Sequence, residues 1–259
     1  MRPLAAPPWL RDLAGAWIFY TVLPAWPRPQ PRFERIARFA PWIGLLQGLL
    51  QGLLWCWAEP WLPSGARVAL VLALGLWLTG GIHADGAMDT ADGLAAGERA
   101  LEAMDDSRIG ASGVLALVQV LLLRGAALLT MAELNLGPLV ALALVWAGVW
   151  GRIAPLLAME RFPYLRPAGT AAYHKRHWLG LGRELRPSLL LLVPLTLVGA
   201  SMGWPWQGWL GLLPAWLVPH RLGRRLGGHS GDTYGACVEW VETLTLLLLA
   251  LTVLVAGVG

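Results

Sequence analysis

The sequence predicts an all-α, polytopic integral membrane helical bundle of about seven spans with a cytoplasmic N-terminus, and three observations predict it. The 259 residues are 56% hydrophobic and only 14% charged, with a mean hydropathy of +0.55, outside the range of water-soluble domains. Apolar runs of near-spanning length recur along the chain. Lipid admits only helices or closed barrels, and these runs are too long for barrel strands. The chain also carries 16 Trp. Many of them (Trp42, Trp55, Trp57, Trp61, Trp77, Trp204, Trp206 and Trp209) fall near the ends of apolar runs, where aromatic belts form.

The seven runs are 36–57, 66–82, 111–131, 136–158, 187–203, 206–221 and 242–258. The weakest is 206–221, which is short and contains Pro214 and Pro219. Residues 13–26 are apolar but stop at Pro24, which favours an interfacial or re-entrant helix over a span. They also lack the layout of a signal peptide. With the N-terminus inside, segments 1–35, 83–110, 159–186 and 222–241 face the cytoplasm and hold 15 of the 20 basic residues. Arg2, Arg11, Arg28, Arg32 and Arg35 lie in the first of these. The outer loops near 58–65, 132–135 and 204–205 carry Glu59 and Glu133 but no Lys or Arg. This is a positive-inside pattern.

The sequence pI of 9.6 therefore reports topology and an anionic inner leaflet. Membrane lipid, and no nucleic acid, is the expected partner. Polar loops of about 28 residues are too short for a core of their own, so the chain reads as one integral membrane catalytic domain, 1–259, with 1–35 as a cytoplasmic or interfacial N-terminal segment. Cys56 and Cys237 lie far apart and fit no zinc spacing.

Function is written into the acids. Seven of the 16 acidic residues (Asp85, Asp89, Asp92, Glu98, Glu102, Asp105 and Asp106) fall within 22 positions, flanked by membrane-grade apolar sequence. Carboxylates at a membrane boundary are costly unless neutralised, and a divalent cation is the simplest neutraliser. At about 100° per residue, Asp85, Asp89 and Asp92 share one helix face and form an oxygen-rich half-shell for Mg²⁺, with Mn²⁺ as the alternative. A solvated acidic helix end is the plain alternative, but residues 83–98 contain no Lys or Arg to interleave. His83 lies off that arc and reads as a substrate contact or base; a simple interfacial histidine competes with that.

Asp106-Ser107-Arg108-Ile109-Gly110 closes the same loop before a span. Arg forks onto phosphate oxygens and a helix start offers free N–H groups, so the run suits phosphate; a capped, ion-paired loop is the alternative. Gly227-Gly228-His229-Ser230-Gly231-Asp232-Thr233-Tyr234-Gly235 reads as a glycine-rich loop at the mouth of the last span. Gly231 and Thr233 would help cradle a pyrophosphate there, and Asp232 would complete a metal shell. Glu239 and Glu242 follow one helical turn apart and face one cavity or the interface. Arg152, inside the fourth span, contacts substrate or snorkels to the interface. Arg124, inside the third, calls for a carboxylate partner in the bundle. Loop 159–186, with Arg161, Arg166, Tyr173, His174, Lys175, Arg176 and His177, recognises an anionic or aromatic substrate or anchors to head groups. Acids, Arg and glycine-rich loops facing one cytoplasmic cavity describe metal-assisted phosphoryl transfer.

In order, His83-x-Asp85-Gly86-x2-Asp89-Thr90-x-Asp92-Gly93, Met104-x-Asp106-Ser107-Arg108-Ile109-Gly110 and Gly231-Asp232-Thr233-x-Gly235-Ala236-x2-Glu239 resemble the adenosylcobinamide-GDP ribazoletransferase (cobalamin synthase) family. Thr21-Val22-Leu23-Pro24 and Pro41-x2-Gly44 extend the resemblance over nearly the whole chain. It implies a bacterial inner-membrane enzyme with its site on the cytoplasmic side. Such an enzyme joins a corrinoid nucleotide, adenosylcobinamide-GDP, to α-ribazole or its 5′-phosphate, releases GMP and requires Mg²⁺. Carried over, Asp85, Asp89 and Asp92 would be metal ligands, Asp106 and Asp232 further acidic members, and Arg108 a phosphate contact. His83 or a carboxylate would be the base, and a homo-oligomer stays open. The sequence departs from the family at Asp105, where a basic residue is usual.

Two rivals are weaker. Asp89-x2-Asp92-Gly93 starts like the signature of CDP-alcohol phosphotransferases, but Ala96 is followed by Gly97 and the later acids fall out of register. A cation-coupled transporter would carry its acids at the midplane, whereas these map to one boundary.

Overall fold

Residues 6–166 and 170–257, which the computed structural model describes, form α-helices and short 3₁₀ turns, with no strand among them. Arg2 and the last residues of the 242–258 run lie outside the described residues. The helices are α1 (Pro8–Tyr20), α2 (Ala40–Ala58), α3 (Ser64–Leu78), α4 (Ile82–Ala96), α5 (Ala100–Asp105) and α6 (Ala111–Glu133). They continue with α7 (Gly137–Arg161), α8 (Thr170–Arg176), α9 (Leu181–Glu184), α10 (Arg186–Ser201), α11 (Leu212–Leu226) and α12 (Gly231–Gly257).

Every predicted apolar run is helical, and the all-α membrane bundle stands. Four helices are long and apolar enough to cross a membrane: α2 with its 3₁₀ lead-in (Ile36–Ala58), α6, α7 and α12. A fifth span results if α3 and the segment Ile82–Asp105 are counted as one broken pair. At 1.5 Å per residue the 16 residues of α10 reach about 24 Å, short of the roughly 30 Å hydrocarbon core. The chain turns at Gly203, whose φ is +81°, and enters α11 through a 3₁₀ turn (Gln207–Gly211). That turn and the 3₁₀ segment take up residues a longer apolar helix would need. Exposed Leu53, Trp57, Leu122, Leu190 and Val193 give the outside the apolar surface that lipid requires.

Two predicted boundaries move. The run 66–82 breaks after Leu78, because Gly80 and Gly81 take φ of +60° and +73°, a left-handed conformation that glycine adopts without penalty. The chain bends there by 89°, so α4 turns across α3 and packs its acids against the starts of α12 and α6. The glycine-rich segment is the second correction: from Gly231 onward it is helix, not loop. Ser230 caps it, accepting from the Thr233 N–H at 3.3 Å while its own N–H donates to Thr233 Oγ1 at 2.8 Å, in the manner of a capping box.

α7 is the central helix, packed by α2, α12 and α11. Its Trp146 and Trp150 are buried with Trp55 of α2. The N-terminal segment is pinned by Asp12, which is fully buried and accepts from Arg32 at 2.5 and 2.8 Å and from Arg38 at 2.6 Å. A buried carboxylate is costly unless paired, and here two guanidinium groups pair it. As the apolar run 13–26 implied, α1 stops short, at Tyr20 before Pro24.

Candidate active site

α4 and α12 meet at two glycines. A Cβ on Gly86 would lie 2.7 Å from the Asp232 carbonyl oxygen, and one on Gly235 would lie 3.1 Å from the His83 carbonyl oxygen. Only hydrogen at these positions lets the backbones approach so closely. The consequence is chemical: Asp85 and Asp89 on α4 come beside Asp232 in the first turn of α12. Burial pushes the Asp89 carboxyl up to about 6, and the charges of Asp85, Asp232 and Asp92 push it the same way. Carboxylates this close supply hard oxygen donors of the kind a divalent cation prefers.

Among the described residues no three His, Cys, Asp or Glu side chains already converge into a cage. That is compatible with Mg²⁺, which binds through one or two carboxylates and takes its other ligands from water and substrate phosphates. Asp92 has a second task. Its two oxygens accept from Gly110 N–H at 2.8 Å and Gly113 N–H at 2.9 Å, which ties the Asp-Ser-Arg turn and the start of α6 to α4. Asp106 and Arg108 pair with each other at 2.6 Å, and Arg108 and Ser107 project into solvent. Hydrogen bonds from the Arg108 side chain and backbone pull the Asp106 carboxyl down to about 2. The Arg108 fork is thus held on an exposed loop, where a phosphate can displace its partner.

A cavity of about 340 Å³ opens beside the acids. Asp85, Gly231 and Asp232 line its mouth, and His83 and Arg152 lie along its wall. His83 is buried, its Nδ1 has no hydrogen-bond partner, and burial keeps its pKa well below the ordinary histidine value, with the charges of Arg152 and Arg124 lowering it further. It is therefore a neutral imidazole with a lone pair to offer, in surroundings that disfavour its protonated form.

Arg152 is 2% exposed, so it does not snorkel. It donates to Gln47 Oε1 at 2.7 Å and pairs with Glu242. Arg124 pairs with Glu239 at 2.7 Å and Glu242 at 3.1 Å, and donates to Thr243 Oγ1 at 2.9 Å. The carboxylate partners expected for Arg124 are thus on α12. Glu239 faces this network and is not among the residues lining the cavity; Thr233 is in the cap of α12.

The chain matches the family model described as cobalamin-5-phosphate synthase over residues 12–250. The chain belongs to that family. It is 60% identical over 260 residues to the adenosylcobinamide-GDP ribazoletransferase of Prochlorococcus marinus strain MIT 9313, covering 95% of this chain and 98% of the relative. The enzyme of that name from strain MIT 9303 is 60% identical over 98% of this chain and all of its own length. The one from Thermosynechococcus vestitus is 44% identical over 94% of this chain and 96% of the relative. No solved structure matches. As a cobalamin-5-phosphate synthase family member the chain is a transferase of cobalamin biosynthesis with membrane-spanning helices.

Some residues at the candidate site carried little sequence signal. Arg166 read only as one member of a basic loop, yet it lies 2.9 Å from Asp232 and 3.0 Å from Asp105. It is brought there by the segment after α7, where His229 N–H donates to the Pro163 carbonyl at 3.0 Å and Leu165 N–H to the His229 carbonyl at 2.8 Å. Phe19, Tyr20 and Tyr234 line the cavity without any sequence-level mark except that Tyr234 follows Asp232-Thr233. Mixed aromatic and basic character in 159–186 was the one available pointer to His174, which also lines the cavity.

Proposed function

We propose that the protein joins adenosylcobinamide-GDP to α-ribazole, or to α-ribazole 5′-phosphate, with release of GMP. The observation that carries this is the meeting of Asp85 and Asp232 at the mouth of a cavity with Asp89 beside them, in a family whose relatives bear that activity in their names. A hydroxyl oxygen of the ribazole ribose attacks the phosphorus on the cobinamide side. The bond between that phosphorus and the bridging oxygen breaks, the bridging oxygen leaves with GMP, and the hydroxyl proton passes to a base.

A bound divalent cation, Mg²⁺ with Mn²⁺ as the alternative, supplies charge neutralisation on the diphosphate and its leaving oxygen. Asp85, Asp89 and Asp232 would hold it, with Asp92 farther along α4 and Asp106 on the adjoining turn as the further acids. Arg108, released from Asp106, grips a phosphate with its two-pronged guanidinium, beside Ser107. Gly231 keeps the mouth open. The neutral His83 imidazole, on the cavity wall, is the base that accepts the hydroxyl proton, with an unprotonated Asp89 as the competing acceptor. Arg152 and Glu239 act through the charged network behind the cavity and hold α7 and α12 in register.

The N-terminus and this site lie on the cytoplasmic side of the bacterial inner membrane, where charged substrates arrive and where the basic loops meet anionic lipid. Purified protein in detergent, given the corrinoid nucleotide, α-ribazole and Mg²⁺, is expected to release GMP in step with product. Folded, cation-replete protein that releases none would overturn the assignment. Running the same assay with α-ribazole and its 5′-phosphate in competition ranks the two acceptors.

A further inference from the structure

The cavity extends further than diphosphate chemistry needs. Along α12 it is lined from Asp232 through Gly235 to Val238, and along α7 from Met159 through Leu156 to Arg152. At 1.5 Å per residue this is a shaft about 10 Å deep between two spanning helices. Its walls beyond the mouth are mostly apolar and aromatic, with Phe19 and Tyr20 supplied by the end of α1 and with His83, His174 and Arg152 as the polar members. Two of its ring pairs are stacked: Tyr20 on His83 at 6.3 Å between centroids, and Tyr164 on Tyr234 at 6.1 Å. Tyr234 is 7% exposed, and its Oη, like Nδ1 of His83, has no hydrogen-bond partner among the described residues.

We infer that this shaft is the acceptor subsite: the benzimidazole ring of the ribazole enters it ring-first against Tyr234 and Tyr20, leaving the ribose at Asp85 and Asp232. The inference rests on the proposed reaction and adds which substrate goes where. Three chemistries compete for the space. A corrin macrocycle is too large, because 340 Å³ is at the small end of ligand pockets, which span roughly 300–1,000 Å³. Guanine would bring a carbonyl, an amide N–H and an amino group that each need partners; His83, His174 and the Tyr hydroxyls could meet some of them, but the rest would be buried at a cost against Phe19, Leu156 and Val238. The charged group along the shaft wall, Arg152, offers no acceptor and is already held by Glu242 and Gln47.

A dimethylbenzimidazole riboside has a flat apolar ring, two methyl groups and one free ring nitrogen. The ring suits stacking walls. The single acceptor needs a single donor, which Tyr234 Oη or the His83 imidazole provides. With the base seated, the ribose hydroxyls emerge where the carboxylates and Arg166 stand. The corrinoid nucleotide then approaches from the cytoplasmic side with its diphosphate toward Arg108, and the macrocycle never enters the membrane.

The test is equilibrium dialysis of labelled α-ribazole alone against the full-length protein in detergent, paired with steady-state kinetics on both substrates. Wild type should bind saturably. Tyr234→Leu should weaken α-ribazole binding by about 10-fold or more, as losing an aromatic base platform does, while Tyr234→Phe should lose less. Ala171→Trp fills the cavity from the α8 side, outside the bundle, and serves should loss of Tyr234 unfold the protein. In turnover the KM for α-ribazole should rise in both Tyr234→Leu and Ala171→Trp with the KM for the corrinoid nucleotide unchanged. Unchanged α-ribazole binding in both, or a rise confined to the corrinoid nucleotide, overturns the subsite. Wild type that binds α-ribazole but releases no GMP would sink the proposed reaction and leave the subsite standing. Normal GMP release with undiminished α-ribazole affinity in Ala171→Trp would do the reverse.

Discussion

The guanidinium of Arg166 lies 2.9 Å from the carboxylate of Asp232. The same group lies 3.0 Å from Asp105. The charge of Asp105 is therefore offset locally, because it faces a cation and not the bare acidic cluster. Arg166→Ala is expected to lower turnover about 10- to 100-fold, by leaving Asp232 to repel Asp85 and Asp89. Asp105→Ala, at an exposed position, is expected to change it less than threefold. A double-mutant cycle on GMP release measures the coupling.

Asp89→Asn should abolish turnover, by about 10²–10³-fold, with folding intact. Its carboxyl releases its proton near pH 6 in the folded protein, so divalent-cation affinity should climb as pH rises through about 6 and then level off. Calorimetric titration of Mg²⁺ or Mn²⁺ at pH 5, 6 and 8 reads this directly. A flat profile would separate Asp89 from cation binding.

Asp92→Ala should lose both activity and stability, unlike Asp89→Asn. It strips the acceptor from the Gly110 and Gly113 N–H groups at the head of α6, and losing such a cap costs about 0.5–2 kcal/mol. A lowered thermal midpoint in Asp92→Ala alone checks the distinction.

Gly86→Val should be worse than either for the architecture. Its side chain would meet the Asp232 backbone, which cannot yield as a flexible side chain does; overpacking of this kind costs about 1–3 kcal/mol. The expected signature is a protein that still inserts and still binds lipid but releases no GMP, since α4 and α12 are pried apart.

Acid should destabilise the protein below neutrality. Burial lowers His174 and His229 to about 4. Between pH 4 and 6.5 the unfolded chain therefore binds protons that the folded one refuses, and stability falls as pH drops through that window. Asp89 opposes this, because its raised pKa makes the folded state bind an extra proton between about 3.9 and 6. His83, also lowered by burial, adds to the loss, and Asp232, also raised by burial, offsets part of it; three histidines against two carboxylates leave a net loss. Melting curves at pH 8, 6.5 and 5 should show it, and His174→Gln should flatten the trend.

The amino-acid order by itself determined that the chain is helical and membrane-embedded, since apolar runs in lipid must satisfy their backbone internally. It also determined that the acids lie on one helix face, because Asp85, Asp89 and Asp92 obey the helical period. Family membership was legible in the same local patterns. The tertiary structure alone decided what those patterns face. The left-handed pair Gly80-Gly81 turns the acid helix sharply away from the line of α3, and the contact of Gly86 with Asp232 closes a distance of nearly 150 residues in the chain. Neither follows from local propensity, because both depend on which backbones can approach within van der Waals contact. Arg166, Tyr20 and Tyr234 came to the cavity through long-range packing of ordinary-looking segments, and burial, a property of the whole fold, is the main reason Asp89 holds its proton to about pH 6.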